Sequence, residues 1–264
     1  MSAGAVEFLP PSRTLACESM TLCCRMTAQP KLEHCLTFIH GQLRPAIAVP
    51  HPPLPATEWR AVTISRQTGS GGHVVAEQLA KCFGASGMTD TRPWAVFDRN
   101  LVEKVLEDNH LPARLAKFMP EDRVSEIDDV IENVCGLHPP LSTLIEKTAQ
   151  TIRRLAELGH VILIGRGANI VASNLEGAFH VRLVGSLEKR VAYIQQCRQV
   201  GRRAALKFIH SEDRGRRRYL RKYFGKDIDD ALLYHLVINT DLIGHKQAAE
   251  LIAKTMLSLR PASA

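Results

Sequence analysis

The sequence lacks any apolar run long enough to cross a membrane, and it is poor in aromatic residues. Phe, Trp and Tyr make up 5% of the 264 residues, while 45% are hydrophobic and 23% are charged. A spanning helix needs roughly 18 consecutive apolar residues, and a signal peptide needs a basic start followed by an unbroken apolar stretch. We therefore expect a soluble, cytoplasmic protein with one large domain or two small ones.

The cysteines show no spacing typical of a metal site or a redox pair. There are seven of them, which is an odd number, and no C-x-x-C unit of the kind that holds zinc or a catalytic dithiol is present. Their positions are 17, 23, 24, 35, 82, 135 and 197. This use of cysteine best fits a reducing cytosol.

Positive charge is concentrated in one segment. The chain has a formal net charge of +7, from 34 Lys and Arg against 27 Asp and Glu. Residues 202–222 carry nine basic and two acidic side chains, so the net charge of this segment equals that of the whole chain. A basic block attracts nucleic acid, an acidic membrane surface or the phosphates of a small ligand. The few aromatic residues interleaved with it argue against a stacking platform for nucleic acid.

The first 58 residues differ from the rest of the chain. They contain eight of the fourteen prolines and show no sustained apolar periodicity. The sequence P-H-P-P-L-P at 50–55 removes backbone donors and favours extended conformations, as in a linker. We therefore predict a mostly disordered extension over 1–58 and a folded domain over 59–260.

From Trp59 onward, short apolar strands alternate with amphipathic helices. The pattern predicts strands at 61–65, 95–97, 160–164, 179–184 and 234–238. It also predicts a helix that ends near Gly84, a long helix before Gly159, a helix over 186–200 and a closing helix from 248 to 259. Such alternation is typical of an α/β fold with a five-stranded parallel sheet flanked by helices. Ligands of such sheets bind beyond the carboxyl ends of the strands.

Unusual residues follow three of these strand ends. R-Q-T-G-S-G-G-H follows the first strand at 66–73, Asp98 follows the second, and G-R-G-A-N follows the third at 165–169. Glycines let backbone N–H groups converge on an anion at a helix N-terminus, and an Arg between glycines can bind a phosphate bidentately. The alternatives are a loop that only permits tight packing, an Arg166 paired with a surface carboxylate, and an Asp98 that caps a helix at 100–107.

The basic segment allows two further interpretations besides contact with nucleic acid. Its sequence looks helical but is interrupted by Gly215. A charge run of this kind is usually a solvated helix face. Concentrated arginines beside a hinge glycine are also typical of a lid that closes over phosphates and excludes water.

Five ordered segments together resemble the cytidylate kinase-like family, a branch of the P-loop nucleoside monophosphate kinases. They are I-S-R-Q-T-G-S-G-G-H at 64–73, F-D-R-N-L-V at 97–102, G-R-G-A-N at 165–169, H-V-R-L-V-G-S-L-E-K-R at 180–190 and D-R-G-R-R-R-Y-L at 213–220. Over about residues 60–255, the resemblance implies transfer of the γ-phosphoryl of ATP to CMP or dCMP with Mg²⁺. It also implies a helical insertion that binds the monophosphate, at about 100–140, and an arginine-bearing helical lid at about 202–230.

The resemblance also implies roles for individual residues. The ATP phosphates would be bound by Arg66, Gly69, Ser70, Gly71, Gly72 and His73. Arg166 would hold the phosphate of the monophosphate, and Asp213 and Arg216 would act near the sugar and the transferred phosphoryl. The other candidates are Asp98, Arg99 and Asn169 for the monophosphate, Asp98 for Mg²⁺, Arg214 and Arg217 for lid contacts with phosphate, and Arg114, Lys117 and Arg123 in the insertion.

Departures from the family's motifs bear on activity. A phosphate loop reads G-x-x-x-x-G-K-[ST], whereas here Gly72 stands at the lysine position and is followed by His73 and the apolar Val74, so that both the lysine charge and the hydroxyl are absent. Ile164 replaces the Asp that precedes the G-R-D turn of cytidylate kinases, and Gly167 replaces the second Asp. Because a phosphate-bridging cation contributes strongly to phosphoryl transfer, Arg66 or the lid arginines would have to compensate.

Three hypotheses follow from the sequence. The leading one is a nucleoside monophosphate kinase, and the second is a nucleotide-binding protein without turnover, which the missing lysine favours. The third and weakest is a nucleic-acid-binding protein that uses residues 202–222. The acceptor base, the sugar and the oligomeric state are left open.

Overall fold

The computed structural model describes residues 59–85, 93–98 and 141–259. Several sequence-based predictions fall outside the described residues. They are the extension over 1–58, the helix at 100–107, the monophosphate-binding insertion, and the candidates Arg99, Arg114, Lys117 and Arg123.

Five strands form a single parallel sheet. They are β1 (Ala61–Arg66), β2 (Ala95–Phe97), β3 (Val161–Ile164), β4 (Ala178–Val184) and β5 (Leu236–Asn239). Their order across the sheet is β2-β3-β1-β4-β5, and every neighbouring pair is parallel. β3 is buried along its whole length, as expected of an apolar strand covered on both faces. The predicted α/β fold with a five-stranded parallel sheet is confirmed.

Within the described residues, six helices accompany the strands. They are α1 (Gly72–Ala85), α2 (Leu141–Leu158), α3 (Ala168–Val171), α4 (Leu187–Arg198), α5 (Arg202–Phe224) and α6 (His245–Ser258). A 3₁₀ turn at Ala231–Leu233 precedes β5. None of the helices in the described ranges is long and apolar enough to cross a membrane.

The core lies on both faces of the sheet. On one face, Val62, Ile64 and Phe179 pack with apolar residues of α1 and α6, such as Leu79 and Ile252. The opposite face packs against α2, α3 and α5. Strand residues alternate between the two faces, so β1 to β4 contribute to both clusters, whereas β5 contributes to the first alone among the described residues. This packing fixes the carboxyl ends of β1 and β3 side by side, since Ile64 is paired with Ile164.

Two sequence-based predictions about glycines were wrong. Gly84 does not end its helix but lies within α1. Gly215 does not interrupt the basic segment, because α5 runs unbroken from Arg202 to Phe224. Arg216 bonds to both Glu212 and Asp213 across that glycine, and such i,i+3 and i,i+4 pairs offset the low helix propensity of glycine.

His235 was predicted inside the fifth strand and lies before it. β5 begins at Leu236, and the His235 side chain bonds backward to β4: its Nδ1 accepts a 2.9 Å hydrogen bond from the amide of His180. His180 is the buried core histidine of this pair, 6% exposed, with its Nδ1 2.8 Å from Thr63 Oγ1.

Acid is expected to destabilise the protein through His180. Burial, with a smaller contribution from the charge of His235, lowers its pKa from 6.5 to about 4. Between these values the unfolded chain takes up a proton that the folded chain does not, so stability falls as pH drops from 6.5 to 4. The loss is roughly 3 kcal/mol. The free energy of unfolding, measured with urea at several pH values in this window, should depend less on pH in His180→Gln than in the wild type. The exposed-site control His210→Gln should keep the pH dependence of the wild type.

Candidate functional site

The loop between β1 and α1 has a conformation that requires glycine. Gly69 has φ +86° and Gly71 has φ +77°, in the left-handed region that other residues adopt at a cost. The buried Ser70 lies between them, and its hydroxyl donates to the carbonyl of Gln67 at 2.8 Å. Its amide donates to the same carbonyl at 3.2 Å, so both donors of Ser70 stabilise the loop itself and neither points to phosphate as the sequence predicted.

Neighbouring elements touch the glycines of this loop so closely that no side chain fits. A Cβ at Gly69 would lie 2.7 Å from the carbonyl oxygen of Arg190, and one at Gly71 would lie 2.1 Å from His245 Nε2. At Gly72, the stem of Arg66 is 3.0 Å from the Cβ position. The loop is thus enclosed by α4, α6 and the end of β1.

A cavity of about 180 Å³ opens at this loop. Among the described residues, the backbone amides of Gly69, Gly71 and Gly72 donate to no acceptor, and all three glycines line the cavity. The side chains of Arg66, His73, Asp98, Tyr193 and Arg216 line it as well. Free amides at the start of a helix together with two arginines form an anion-binding arrangement.

Arg66, His73 and Asp98 meet on one side of the cavity. Arg66 Nη2 is 3.9 Å from Asp98 Oδ1, and His73 Nδ1 is 3.7 Å from Asp98 Oδ2. The other ring nitrogen of His73 is 3.0 Å from Glu77 Oε1. The structure therefore brings three of the predicted site residues together at the carboxyl ends of β1 and β2.

His245, which lies over Gly71, does not replace the missing lysine. It packs edge-on against Tyr193, and burial lowers its pKa below the ordinary value. The ring is therefore neutral at pH 7, and the positive charge at this cavity comes from Arg66 and Arg216.

On the other side of the loop, Asp213 of α5 accepts four hydrogen bonds. Its Oδ1 receives the amide of Thr68 at 2.7 Å, the Thr68 hydroxyl at 2.8 Å and Arg216 Nη2 at 2.8 Å. Its Oδ2 receives Arg190 Nη1 at 2.7 Å. Arg216 Nη2 also contacts the Thr68 hydroxyl directly. The predicted lid residues Asp213 and Arg216 thus lie against the glycine loop.

This network holds Asp213 as a carboxylate. Burial alone would raise its pKa, but the hydrogen bond from the Thr68 amide and the nearby charge of Arg216 outweigh burial and lower it. Arg190 and Arg216 are 8% and 5% exposed, so both guanidinium groups depend on their carboxylate partners for charge balance.

The turn after β3 has three consecutive left-handed residues. Gly165, Arg166 and Gly167 have φ of 77°, 59° and 66°, and Gly167 packs under the ring of Phe224, where a Cβ would lie 2.7 Å from that ring. Arg166 is half-buried and is not among the residues that line the glycine-loop cavity. The structure therefore places it at the expected sheet edge but beside the cavity rather than in it.

Asn169 lies on the far side of this turn. It is 5% exposed, and its Nδ2 has no hydrogen-bond partner among the described residues. It shares a cavity of about 10 Å³ with Arg66 and Arg216, which is room for about one water molecule. A buried amide without a partner favours a ligand or a bound water at this point.

The remaining lid candidates lie further out. Arg214 is exposed and lines none of the cavities at the sheet edge. Arg217 lines a small cavity with Arg182 and Arg216 and pairs with Asp229 at 2.8 Å, which raises the pKa of Arg217. Three other basic residues of the segment 202–222 are likewise paired with carboxylates: Arg202, Arg216 and Arg221. Pairing reduces the positive charge that these four arginines present to other molecules.

Sequence reasoning missed Thr68, Arg190 and His245. Arg190 carried a detectable signal, because it falls within the apolar stripe of α4 beside Val191 and Ile194, which are buried with it. A charged residue on a buried helix face is usually paired or functional. Thr68 and His245 carried no such signal, since their contacts join residues far apart in the chain.

The donors for a divalent cation are few. Among the described residues, no group of three or more His, Cys, Asp or Glu side chains is arranged to hold a metal ion. Asp98 alone presents a carboxylate to the cavity. Mg²⁺ in phosphate-transfer sites commonly takes one or two carboxylates and completes its shell with phosphate oxygens and water, so a single Asp98 fits that pattern.

Comparison with known proteins bears on the family and the fold of this chain. The sequence model of the cytidylate kinase-like family matches residues 61–242, which is more than two thirds of the chain. An uncharacterized protein from Eubacterium ventriosum has a similar structure, with a TM-score of 0.57 and 18% identity over 76% of this chain and 100% of that one. No curated protein matches the sequence.

Two solved shikimate kinases show a lower structural similarity. The enzyme from Acinetobacter baumannii, solved with shikimate, gives a TM-score of 0.41 at 14% identity over 78% of this chain and 98% of its own. The enzyme from Bacteroides thetaiotaomicron gives 0.42 at 14% identity, over 76% and 99%. From the matched family model, the chain belongs to the cytidylate kinase-like family, and this membership supports a nucleotide kinase-like function and an enzyme of the phosphotransferase type.

Proposed function

We propose that the protein transfers the γ-phosphoryl group of ATP to CMP or dCMP in the presence of Mg²⁺. The observation that carries this proposal is the cavity at the glycine loop. There, three backbone amides without acceptors lie beside Arg66 and Arg216. Amides and guanidinium groups are the donors that bind phosphate oxygens. The choice of cytidylate as acceptor rests on family membership.

Arg66 is the proposed substitute for the lysine of the phosphate loop. Its stem crosses directly over Gly72, 3.0 Å from the Cβ position of that residue, and Gly72 stands where the lysine is absent. A side chain at Gly72 would displace Arg66. The glycine therefore makes room for a guanidinium that reaches the same cavity from β1.

On the acceptor side, the candidates are Arg166 and Asn169. Arg166 follows β3 at the carboxyl edge of the sheet, where it can approach a monophosphate bound outside the glycine-loop cavity. The unpartnered amide of Asn169 offers a neutral donor nearby. The role of Arg99 stays a prediction, because that residue lies outside the described ranges.

Asp98 is the proposed protein ligand of Mg²⁺, which when bound neutralises charge on the phosphates. Arg66, 3.9 Å from the same carboxylate, orients it and also contacts phosphate. Arg66 ends β1 and Asp98 follows β2, on either side of β3 in the sheet, so the fold holds both side chains in place before a nucleotide arrives.

The reaction needs positioning and charge stabilisation rather than a covalent intermediate. An oxygen of the acceptor phosphate forms a bond to the γ-phosphorus while the bond from that phosphorus to the bridging β-phosphate oxygen breaks, which gives ADP and a nucleoside diphosphate. Arg66 and Arg216 stabilise the charge that spreads over the transferred group. Asp213 holds Arg216 in the cavity, and its predicted contact with a sugar stays a prediction.

A second candidate function is nucleotide binding without turnover. Two observations favour it: Gly72 stands at the lysine position of the loop with no hydroxyl residue at 73 or 74, and Arg216 is engaged with Asp213 and Glu212. A protein of this kind would be stabilised by ATP and would release no ADP.

The test is an ADP-release assay on the full chain with ATP, Mg²⁺ and each nucleoside monophosphate in turn. We expect turnover with CMP or dCMP and a loss of about 100-fold or more for Arg166→Ala, because a transition-state contact to phosphate is removed. The exposed-site control Arg203→Ala should keep full activity. Full activity of Arg166→Ala would contradict the assigned acceptor site, and ATP-dependent stabilisation without turnover would favour the binding protein.

A further inference from the structure

Arg190 joins three separate segments around the glycine loop. Its Nε donates to the carbonyl of Gly185 at 3.0 Å, in the turn between β4 and α4. Its Nη1 donates to the carbonyl of Thr68 in the loop at 3.2 Å and to Asp213 of α5 at 2.7 Å. One planar guanidinium thus bonds the β4–α4 turn, the loop and α5.

The loop also rests on the backbone of Arg190. Gly69 approaches this residue so closely that a Cβ would lie 2.7 Å from its carbonyl oxygen and 3.1 Å from its Cα. Gly69 therefore lies against Arg190 at the point where φ is +86°. The side chain and the backbone of one residue support the two neighbours Thr68 and Gly69.

The contacts from α5 complete this arrangement without any ligand. Asp213 accepts the amide and the hydroxyl of Thr68, so this amide of the loop is turned toward α5. The amides of Gln67 and Ser70 donate to the carbonyls of Leu183 and Gln67, and those of Gly69, Gly71 and Gly72 have no acceptor among the described residues. The division of the loop between one amide tied to α5 and three left for an anion depends on where Thr68 is held.

We propose that Arg190 is the positioning residue that fixes the glycine loop in its anion-binding shape, by tying Thr68 to α5 through Asp213. α5 is accordingly a fixed wall of the site at Asp213 and Arg216, docked before nucleotide binds. The inference rests on the proposed function only for its catalytic consequence, since the tie itself is a property of the protein alone.

Lysine and methionine at position 190 separate geometry from charge. Lysine keeps the charge beside Asp213 but is a single point donor that cannot reproduce the planar fork. Methionine keeps much of the length and removes every hydrogen bond. If Arg190 acts by position, both substitutions release the loop, and if it acts only by charge, lysine restores the wild-type behaviour.

The experiment is hydrogen exchange of the full chain, without nucleotide, followed in peptides that contain residues 67–72. We expect exchange at the Thr68 amide to rise about tenfold or more in Arg190→Met and Arg190→Lys, because local opening becomes easier. Arg203→Met, which removes an arginine from the exposed side of α5, should leave exchange unchanged. Unchanged exchange in Arg190→Met, or full protection in Arg190→Lys, would overturn the proposal.

Kinetics of the same variants give the catalytic consequence. A displaced loop should raise the KM for ATP and lower kcat together, by about 10- to 100-fold in kcat/KM, in both Arg190 variants. If the wild type shows no turnover with any acceptor, the proposed function fails while the exchange measurement still decides the role of Arg190. Wild-type kcat/KM in Arg190→Lys would show that only the charge matters and would contradict the positioning role.

Discussion

Alanine at Gly71 is expected to abolish nucleotide binding, whereas alanine at Gly84 leaves it intact. Gly71 has φ +77°, which costs an L-residue roughly 1–2 kcal/mol, and the new Cβ would lie 2.1 Å from His245 Nε2. Either the imidazole ring of His245 moves away from the loop, or the loop moves away from the ring. Because a displacement of about 1 Å can reduce catalysis about 100-fold, we expect a comparable loss in kcat/KM and no calorimetrically detectable ATP binding.

Gly84 is the matched control because it lies in the same chain segment without either constraint. Among the described residues, no atom outside its own stretch of helix lies within 4 Å of its Cβ position, and alanine inside a helix stabilises it by roughly 0.5–1 kcal/mol relative to glycine. Combining Gly71→Ala with His245→Ala should recover part of the binding, because the collision is removed and only the backbone strain stays. Wild-type affinity for ATP in Gly71→Ala would show that the nucleotide binds elsewhere.

Removal of the Asp213 carboxylate is expected to cause the largest loss of stability. Asp213→Ala would leave Arg190 and Arg216, both buried, without the carboxylate that they share. Unpairing a buried charge costs about 3–5 kcal/mol, which corresponds to a decrease in Tm of about 10 °C for a domain of this size. Asp227→Ala removes a carboxylate that pairs with exposed Arg221 and should change Tm little.

The same substitution should alter the response to acid. The pKa of Asp213 is lowered in the folded protein, so its stabilising contribution is present above the ordinary aspartate pKa and is lost as pH falls through the lowered value. Chemical unfolding should therefore show a constant difference between wild type and Asp213→Ala from pH 7 down to about 4. A difference that persists undiminished well below that range would show that the carboxylate is not stabilised by its partners.

The strands and the phosphate-oriented loops were predictable because their signals are local. β1, β3 and β4 are runs of apolar and β-branched residues bounded by turn residues, and Gly69 and Gly71 follow directly after such a run. A parallel sheet then brings the ends of β1 and β3 together. These facts need no knowledge of tertiary contacts.

The tie between the loop and α5 was not predictable, because it joins distant parts of the chain. Thr68 and Asp213 are 145 residues apart, and nothing in either segment specifies the partner. The continuity of α5 through Gly215 was missed for a related reason, since helix propensity alone does not include the ion pairs of Arg216. Local patterns identified the glycine loop as a candidate phosphate site. Tertiary packing determines which of its amides are bonded within the protein and which are left for a ligand.

α6 determines where the chain can be cut. It begins at His245, three residues beyond the segment that matches the family, yet Ala248, Ala249, Ile252 and Met256 are buried against the sheet and α1. The indole of Trp59 donates to the carbonyl of Leu259 at 2.6 Å, which joins the start of the fold to its end. A product trimmed to the matched segment would expose this apolar surface to water and to other copies of itself. It would also lack His245, which packs against Gly71 of the glycine loop. The unit that can be expressed and compared with its relatives therefore extends through Leu259.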